Sequence, residues 1–140
     1  MSHLGKHVRG GVAATELAVA LPILMLLALS CADFGRVMHH YQIVSNAART
    51  GAEAGAMHQF TTLSQSDWEA DVRAAVVEEL AGLPGFNESK LKYELKTTTD
   101  ANDLATVDVK ISYPFKSAVS WPGLPHQIDL KAISRVRQFR

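Results

Sequence analysis

Residues 12–32 form a nearly unbroken apolar stretch, VAATELAVALPILMLLALSCA, which a single carboxylate, Glu16, interrupts. A helix needs about twenty apolar residues to cross the hydrocarbon core of a bilayer, and this stretch has that length. An ionised side chain at bilayer depth is costly unless it has a partner, so a plain anchor would carry leucine at position 16. The stretch therefore predicts a membrane helix whose carboxylate needs a polar partner.

The bulk composition limits what the rest of the chain can do. The chain has 140 residues, a formal net charge of zero and one cysteine, Cys31. About 105 residues remain after the leader and the apolar stretch, which is enough for one small domain. Zero net charge gives no electrostatic footprint for nucleic acid, and one cysteine forms no intrachain disulfide. The sequence has no phosphate loop, nucleophile elbow or metal-ligand cluster, so it predicts neither an enzyme nor a cofactor or metal site.

Basic residues precede the apolar stretch and indicate its orientation. Lys6 and Arg9 lie on its N-terminal side. Positive charges stay on the cytoplasmic side of a membrane helix. The sequence therefore predicts a single-pass inner-membrane protein with a cytoplasmic N-terminus and a periplasmic C-terminal domain.

Three ordinary interpretations of this N-terminus explain it incompletely. A secretory signal peptide has a shorter apolar region and ends in a small-x-small site. A lipoprotein signal would use Cys31, but Leu29 and Ala28 stand in the reverse of the usual order. A plain anchor explains the length and the topology, but it explains neither Glu16 nor the pair Gly10–Gly11.

The remaining interpretation is a type IV pilin-like signal, in which a short basic leader ends in glycine and the fifth mature residue is glutamate. A cut after Gly11 makes Val12 the first mature residue and Glu16 the fifth. With the motifs downstream, the chain resembles the TadE-like family, the minor pseudopilins of the tight-adherence (Tad/Flp) pilus. Leu17 stands where major Flp pilins carry tyrosine, which favours the TadE type. The segments that carry the resemblance are Arg9-Gly10-Gly11-Val12-Ala13-Ala14-Thr15-Glu16-Leu17-Ala18, Leu21-Pro22-Ile23-Leu24, Asp33-Phe34-Gly35-Arg36 and Asn46-Ala47-Ala48-Arg49-Thr50-Gly51-Ala52.

The resemblance implies a role in pilus assembly and adhesion. Its expected partners are a prepilin peptidase that cuts between Gly11 and Val12, other pilins or pseudopilins, and the inner-membrane assembly platform. It also implies that Glu16 sets the register of assembly by meeting the new ammonium of Val12, within one chain or between neighbours. The alternative is a membrane-tethered periplasmic binding module that does not assemble into a pilus.

Two further features of the first helix point to its packing. Pro22 removes one backbone hydrogen bond and predicts a kink. Gly51 and Gly55 form a smooth stripe that allows another backbone to approach closely. The stripe predicts packing either on the chain's own sheet or on the helix of a neighbouring subunit.

Periodicity predicts the rest of the fold. One helix runs from about Val12 to about Met57, and a capping box at Ser66 and Glu69 opens a second helix that ends before Gly82. Alternating residues predict strands over 91–97, 107–113 and 128–136, the second of which ends at Pro114. The prediction is an α+β, pilin-like fold with a long transmembrane spine helix, a second short helix and a three-stranded antiparallel sheet. The expected divisions are a leader at 1–11, the transmembrane half of the helix at 12–32 and an outer domain at 33–140.

Overall fold

A computed structural model describes residues 6–57, 64–99 and 105–138 of the chain. It confirms the predicted α+β arrangement of a long N-terminal apolar helix, a second helix and a three-stranded antiparallel sheet. The elements are α1 (Lys6–Met57), α2 (Gln65–Leu80), a 3-10 turn (Glu88–Lys90), β1 (Lys92–Thr99), β2 (Ala105–Lys116) and β3 (Gln127–Arg137).

Helix α1 ends at Met57 as predicted but begins at Lys6, six residues before the expected start at Val12. The sequence before Val12 contains no proline, and glycine weakens a helix without breaking it, so the helix continues back through Gly11. The chain divides into two compact units between Arg36 and Val37. The boundaries predicted at 11 and 32 remain predictions.

The second unit, residues 37–140, holds a two-layer core. Strands β1, β2 and β3 pair antiparallel in that order, and every second residue of β2 turns its side chain toward the helices. Alternate apolar residues on one face are what a sheet with one buried face requires. The buried core residues are Val44, Ala47, Ala48, Ala52, Trp68, Val72, Val76, Leu80, Leu83, Val107, Val109, Ile111, Tyr113 and Ala132.

The capping box predicted at Ser66 is wrong. Helix α2 already begins at Gln65, with Ser64 in the N-cap position and no side-chain cap hydrogen bond. Glu69 instead accepts a hydrogen bond of 2.9 Å from the side-chain amide of Gln65, one turn earlier. Because the helix starts before Ser66, that hydroxyl is already inside the first turn and cannot cap it.

Strand β2 does not end at Pro114, as the sequence predicted, but continues to Lys116. Strand β1 pairs with β2 only as far as Ser112, whereas β3 pairs with β2 through Pro114 and beyond. Pro114 therefore lies where β2 has one neighbouring strand instead of two. A proline is tolerated in such an edge position because one side of the strand needs no ladder hydrogen bond.

The end of α1 is tied into the core through one carbonyl. The last four carbonyls of a helix have no partner within the helix. The carbonyl of Gly55, two residues before the end, accepts hydrogen bonds from Nε1 of Trp68 at 3.1 Å and from Nε2 of Gln138 at 3.3 Å. Gln138 is itself buried. These two side chains supply hydrogen bonds to a buried carbonyl in the last turn of the described helix.

Candidate functional site

The first unit contributes the N-terminal half of α1, and its apolar side chains are exposed on every side. An 18-residue window of this helix has a mean hydropathy of 2.3, and none of that window is buried. A helix that is apolar all round belongs in a membrane or a large core. By length and composition, α1 is a candidate membrane span. The exposed large apolar residues of this half are Val12, Leu17, Val19, Leu21, Ile23, Leu24, Met25, Leu26, Leu27, Leu29 and Phe34.

Glu16 lies on this apolar helix, four residues and therefore about one turn after Val12. Its side chain is exposed. No side chain in the part of the chain that the structure describes forms a hydrogen bond or ion pair with it. The carboxylate is thus presented outward among apolar neighbours, where a partner on another molecule can reach it.

The hydroxyl groups in the same stretch do not need a partner on another molecule, because each is hydrogen-bonded within the helix. Thr15 Oγ1 donates a hydrogen bond of 2.7 Å to the carbonyl of Val12, and Ser30 Oγ donates one of 2.8 Å to the carbonyl of Leu26. Such bonds to the preceding turn let hydroxyl side chains lie in an apolar environment. Glu16 therefore differs from the other polar side chains of this stretch in having no partner among the described residues.

Pro22 stands inside α1, and helical backbone continues on both sides of it. Because proline has no N–H, the carbonyl of Ala18 lacks its usual partner four residues later. Neighbouring helices or local adjustments satisfy such carbonyls in membrane helices.

Comparison with known proteins bears on this same helix. The family model described as TadE-like protein matches residues 11–53. Residues 11–53 are TadE-like. The match confirms the resemblance drawn from the sequence motifs, and it covers Gly11, Val12, Glu16, Pro22 and Gly51. A TadE-like segment implies a protein associated with the Tad pilus. No curated protein and no solved structure matches the chain.

The TadE-like segment contains a local ion pair that the sequence analysis did not identify. Arg36 Nη1 donates a hydrogen bond of 3.3 Å to Asp33 Oδ1. The Asp33 side chain is only 9% exposed, while that of Arg36 is 49% exposed. The spacing of three residues places both charges on one side of a helix and was a usable signal for this pair.

The two glycines of the predicted packing stripe lie in the core of the second unit. A Cβ atom added to Gly51 would collide with Cγ2 of Val76, and one added to Gly55 would lie 2.9 Å from Cγ1 of Val107. Both glycines are buried. The close approach that they allow is to the chain's own second helix and central strand. Their predicted role in helix packing is therefore placed inside the domain.

Outside the TadE-like segment, the sheet carries a charge pair that the sequence analysis missed. Arg135 donates two hydrogen bonds of 2.6 Å to the two carboxylate oxygens of Asp108. This pair lowers the pKa of Asp108 below its usual value, chiefly through the Arg135 hydrogen bond. The residues are 27 positions apart and meet only because β2 and β3 pair in this register, so local sequence gave no signal.

No group of three or more His, Cys, Asp or Glu side chains within residues 6–57, 64–99 and 105–138 is placed to hold a metal ion. The features with functional character in these ranges are therefore the exposed apolar helix and its carboxylate. They are suited to association with a membrane and with other helices.

Proposed function

We propose that this protein is a TadE-like minor pseudopilin that a prepilin peptidase processes after Gly11 and that acts in Tad/Flp pilus assembly and adhesion. In this proposal the chain enters the inner membrane with its N-terminus in the cytoplasm and its α+β domain in the periplasm. The protein is a substrate of the peptidase and a structural component, and it catalyses no reaction itself.

The observation that carries the proposal is the exposed Glu16 on an all-round apolar helix. Cleavage after Gly11 would create an ammonium group on Val12, and an α-amino group has a reference pKa of about 8. Val12 and Glu16 lie about 6 Å apart along the helix axis. A neighbouring helix shifted by about one turn would bring its Val12 ammonium beside Glu16. Two opposite charges in an apolar surrounding cost less together than apart.

The helical start of α1 adds a requirement for processing. Gly11 lies five residues inside the helix, whereas a peptidase needs the chain in an extended form. Each glycine lowers helix stability by about 1 kcal/mol relative to alanine. The pair Gly10–Gly11 therefore lowers the cost of opening the helix at the cut by about 2 kcal/mol.

The decisive measurement is the mass of the mature N-terminus. The full chain is expressed in a bacterial membrane with and without a prepilin peptidase of a Tad system, and the N-terminal peptide is identified by mass spectrometry. We expect a chain that begins at Val12 only when the peptidase is present. A Gly11→Leu variant should remain uncut, and the matched variant Gly10→Ala should still be cut at the same bond.

Other N-termini would contradict the proposal. A mature chain that begins at Cys31 would indicate a lipoprotein, and one that begins at Gly11 would place Glu16 sixth and refute the register argument. A helix exchange then separates the pseudopilin from the tethered binding module. If residues 12–32 are replaced by an unrelated membrane helix, the pseudopilin should lose pilus assembly, whereas a binding module would keep its activity.

A further inference from the structure

The sheet of the second unit has a face turned away from the two helices, which we call the outer sheet face. Its seven cationic and three anionic side chains give a net charge of +4. Several of these charges pair with one another, such as Lys96 with Glu94 at 2.8 Å and Lys92 with Asp129 at 3.4 Å. The cations still exceed the anions. The charged members are Lys92, Glu94, Lys96, Asp108, Lys110, Lys116, Asp129, Lys131, Arg135 and Arg137.

An apolar side chain stands among these cations. Ile133 is 68% exposed. Lys131 and Arg135 flank it along β3, and Lys110 lies opposite it on β2. A shallow cavity of about 240 Å³ opens beside it, and its lining includes Lys92, Lys110 and Lys131. The outer sheet face therefore presents an exposed apolar side chain on its edge strand with cations on three sides, one of which, Arg135, is also paired with Asp108.

The exposed side of α2 has the opposite pattern. Asp67, Asp71 and Glu78 recur at spacings of four and seven residues, which places them in one row along the helix. Ala70 and Ala74 are exposed between them. None of the three carboxylates forms an ion pair with another side chain in the described ranges. This acidic α2 row therefore has a small apolar centre edged by negative charge.

The nearby cation of α2 does not neutralise the row. Arg73 Nη2 is 2.9 Å from Oε1 of Glu88, so its charge is already compensated outside the row. The acidic α2 row thus keeps a net charge of −3 from its three carboxylates.

We propose that the outer sheet face binds the acidic α2 row of a second copy of this chain. The dimensions are compatible, because Lys131 and Arg135 are about 13 Å apart along a strand and Asp71 and Glu78 are about 10 Å apart along a helix. Lysine and arginine side chains are long enough to span the difference. The exposed Ile133 would lie on the two exposed alanines, and the charges would surround this contact.

This contact joins two different surfaces of the chain, so each copy can bind a further copy at either surface. The row lies on the outer side of α2 and the basic face lies on the outer side of the sheet, so one copy offers two different surfaces. Contacts between unlike surfaces repeat from copy to copy instead of closing into a twofold dimer, unless the rotation closes a ring. The contact goes beyond the proposed pilus role and needs no cleavage after Gly11, so the two proposals fail independently.

Cysteine cross-linking tests the contact in the full chain reconstituted in a membrane. In a Cys31→Ser background, one tagged copy carries Ala74→Cys and a second, differently tagged copy carries Ile133→Cys. We expect a mixed dimer on mild oxidation. Leu124→Cys replaces Ile133→Cys in the matched control, since Leu124 is 67% exposed, Ile133 is 68% exposed, and Leu124 lies on neither surface.

A charge exchange tests the physical cause. Lys110→Glu with Lys131→Glu in one copy should lower the mixed-dimer yield by about tenfold, since each exposed pair contributes up to about 1 kcal/mol. Asp67→Lys with Asp71→Lys in the other copy should restore it. Raising the salt concentration from 0.1 M to 1 M shortens the Debye length from about 10 Å to about 3 Å, and should also lower the yield.

Three results would refute the proposed contact between the outer sheet face and the acidic α2 row. A yield for the 74–133 pair equal to that of the 74–124 control would overturn the proposal. Preferred 133–133 cross-linking would indicate a twofold contact instead. Charge exchange that fails to restore the yield, while the Trp68 emission shows a folded domain, would also refute it.

Discussion

Substitution of Gly55 by alanine is the sharpest test of how α1 packs in the second unit. The new Cβ would lie 2.9 Å from Cγ1 of Val107, 3.1 Å from Cζ2 of Trp68 and 3.2 Å from Cγ2 of Val72. These neighbours cannot easily give way. The two valines are fully buried and stiff at their first torsion, and the indole is held by its hydrogen bond to the carbonyl of Gly55.

Two opposing effects set the expected magnitude. Alanine improves the helix propensity by about 1 kcal/mol over glycine. Overpacking of a well-filled core costs about 1–3 kcal/mol, and the stiffness of all three neighbours places this site near the upper value. We therefore expect Gly55→Ala to lower the free energy of unfolding by about 2 kcal/mol. With a urea m value of about 2 kcal/mol/M, the midpoint should fall by about 1 M.

The assay is urea unfolding of the full chain in detergent, followed by the emission of Trp68 in a Trp121→Phe background. Gly35→Ala is the matched control, because in the described part of the chain nothing lies within 4 Å of its added Cβ. The control should leave the midpoint unchanged or slightly raised. A midpoint for Gly55→Ala at or above that of the parent would show that the site is not close-packed and would refute the reasoning.

Three further changes address charge. Glu16→Gln should leave membrane insertion intact but abolish incorporation into pili, whereas Thr15→Val should preserve both; normal piliation of the Gln variant would count against pairing. Arg135 lowers the pKa of Asp108, so this pair should stabilise the fold above about pH 4 and lose that effect as the pH falls; urea midpoints of Asp108→Asn should show a flatter acid limb. Burial raises the pKa of Tyr93 to about 12, so stability should fall as the pH rises from about 10 to 12; Tyr93→Phe should remove that loss, and an unchanged alkaline limb would contradict the assignment.

The elements of this fold were accessible from sequence because their signals are local. A 3.6-residue apolar period fixed the end of α1 at Met57, and alternation located all three strands. Two boundary signals failed. Pro114 is compatible with β2 only because β1 ends at Ser112, and the hydroxyl of Ser66 lost its capping role because α2 had begun at Gln65. The first of these facts depends on strand pairing, and the second on where α2 begins.

The functional features likewise divide into those that the local sequence reveals and those that depend on the pairing of distant segments. Glu16 was found from sequence because a charge in an apolar stretch is conspicuous by itself. The Asp108–Arg135 pair and the charge of the outer sheet face depend on strand register, which joins residues far apart in the chain. The environment of Gly55 likewise depends on α2 and β2. Properties that arise from pairing therefore required the structure.

The shared carbonyl of Gly55 has a consequence for how the chain is made. Its two donors lie 13 and 83 residues later in the sequence, and the backbone N–H of Gln138 also closes onto the carbonyl of Ala105 at 2.8 Å. The contacts around this carbonyl are thus complete only after residue 138 has been synthesised. Until then, the Gly55 carbonyl lacks the donor that Gln138 supplies from the far end of the chain.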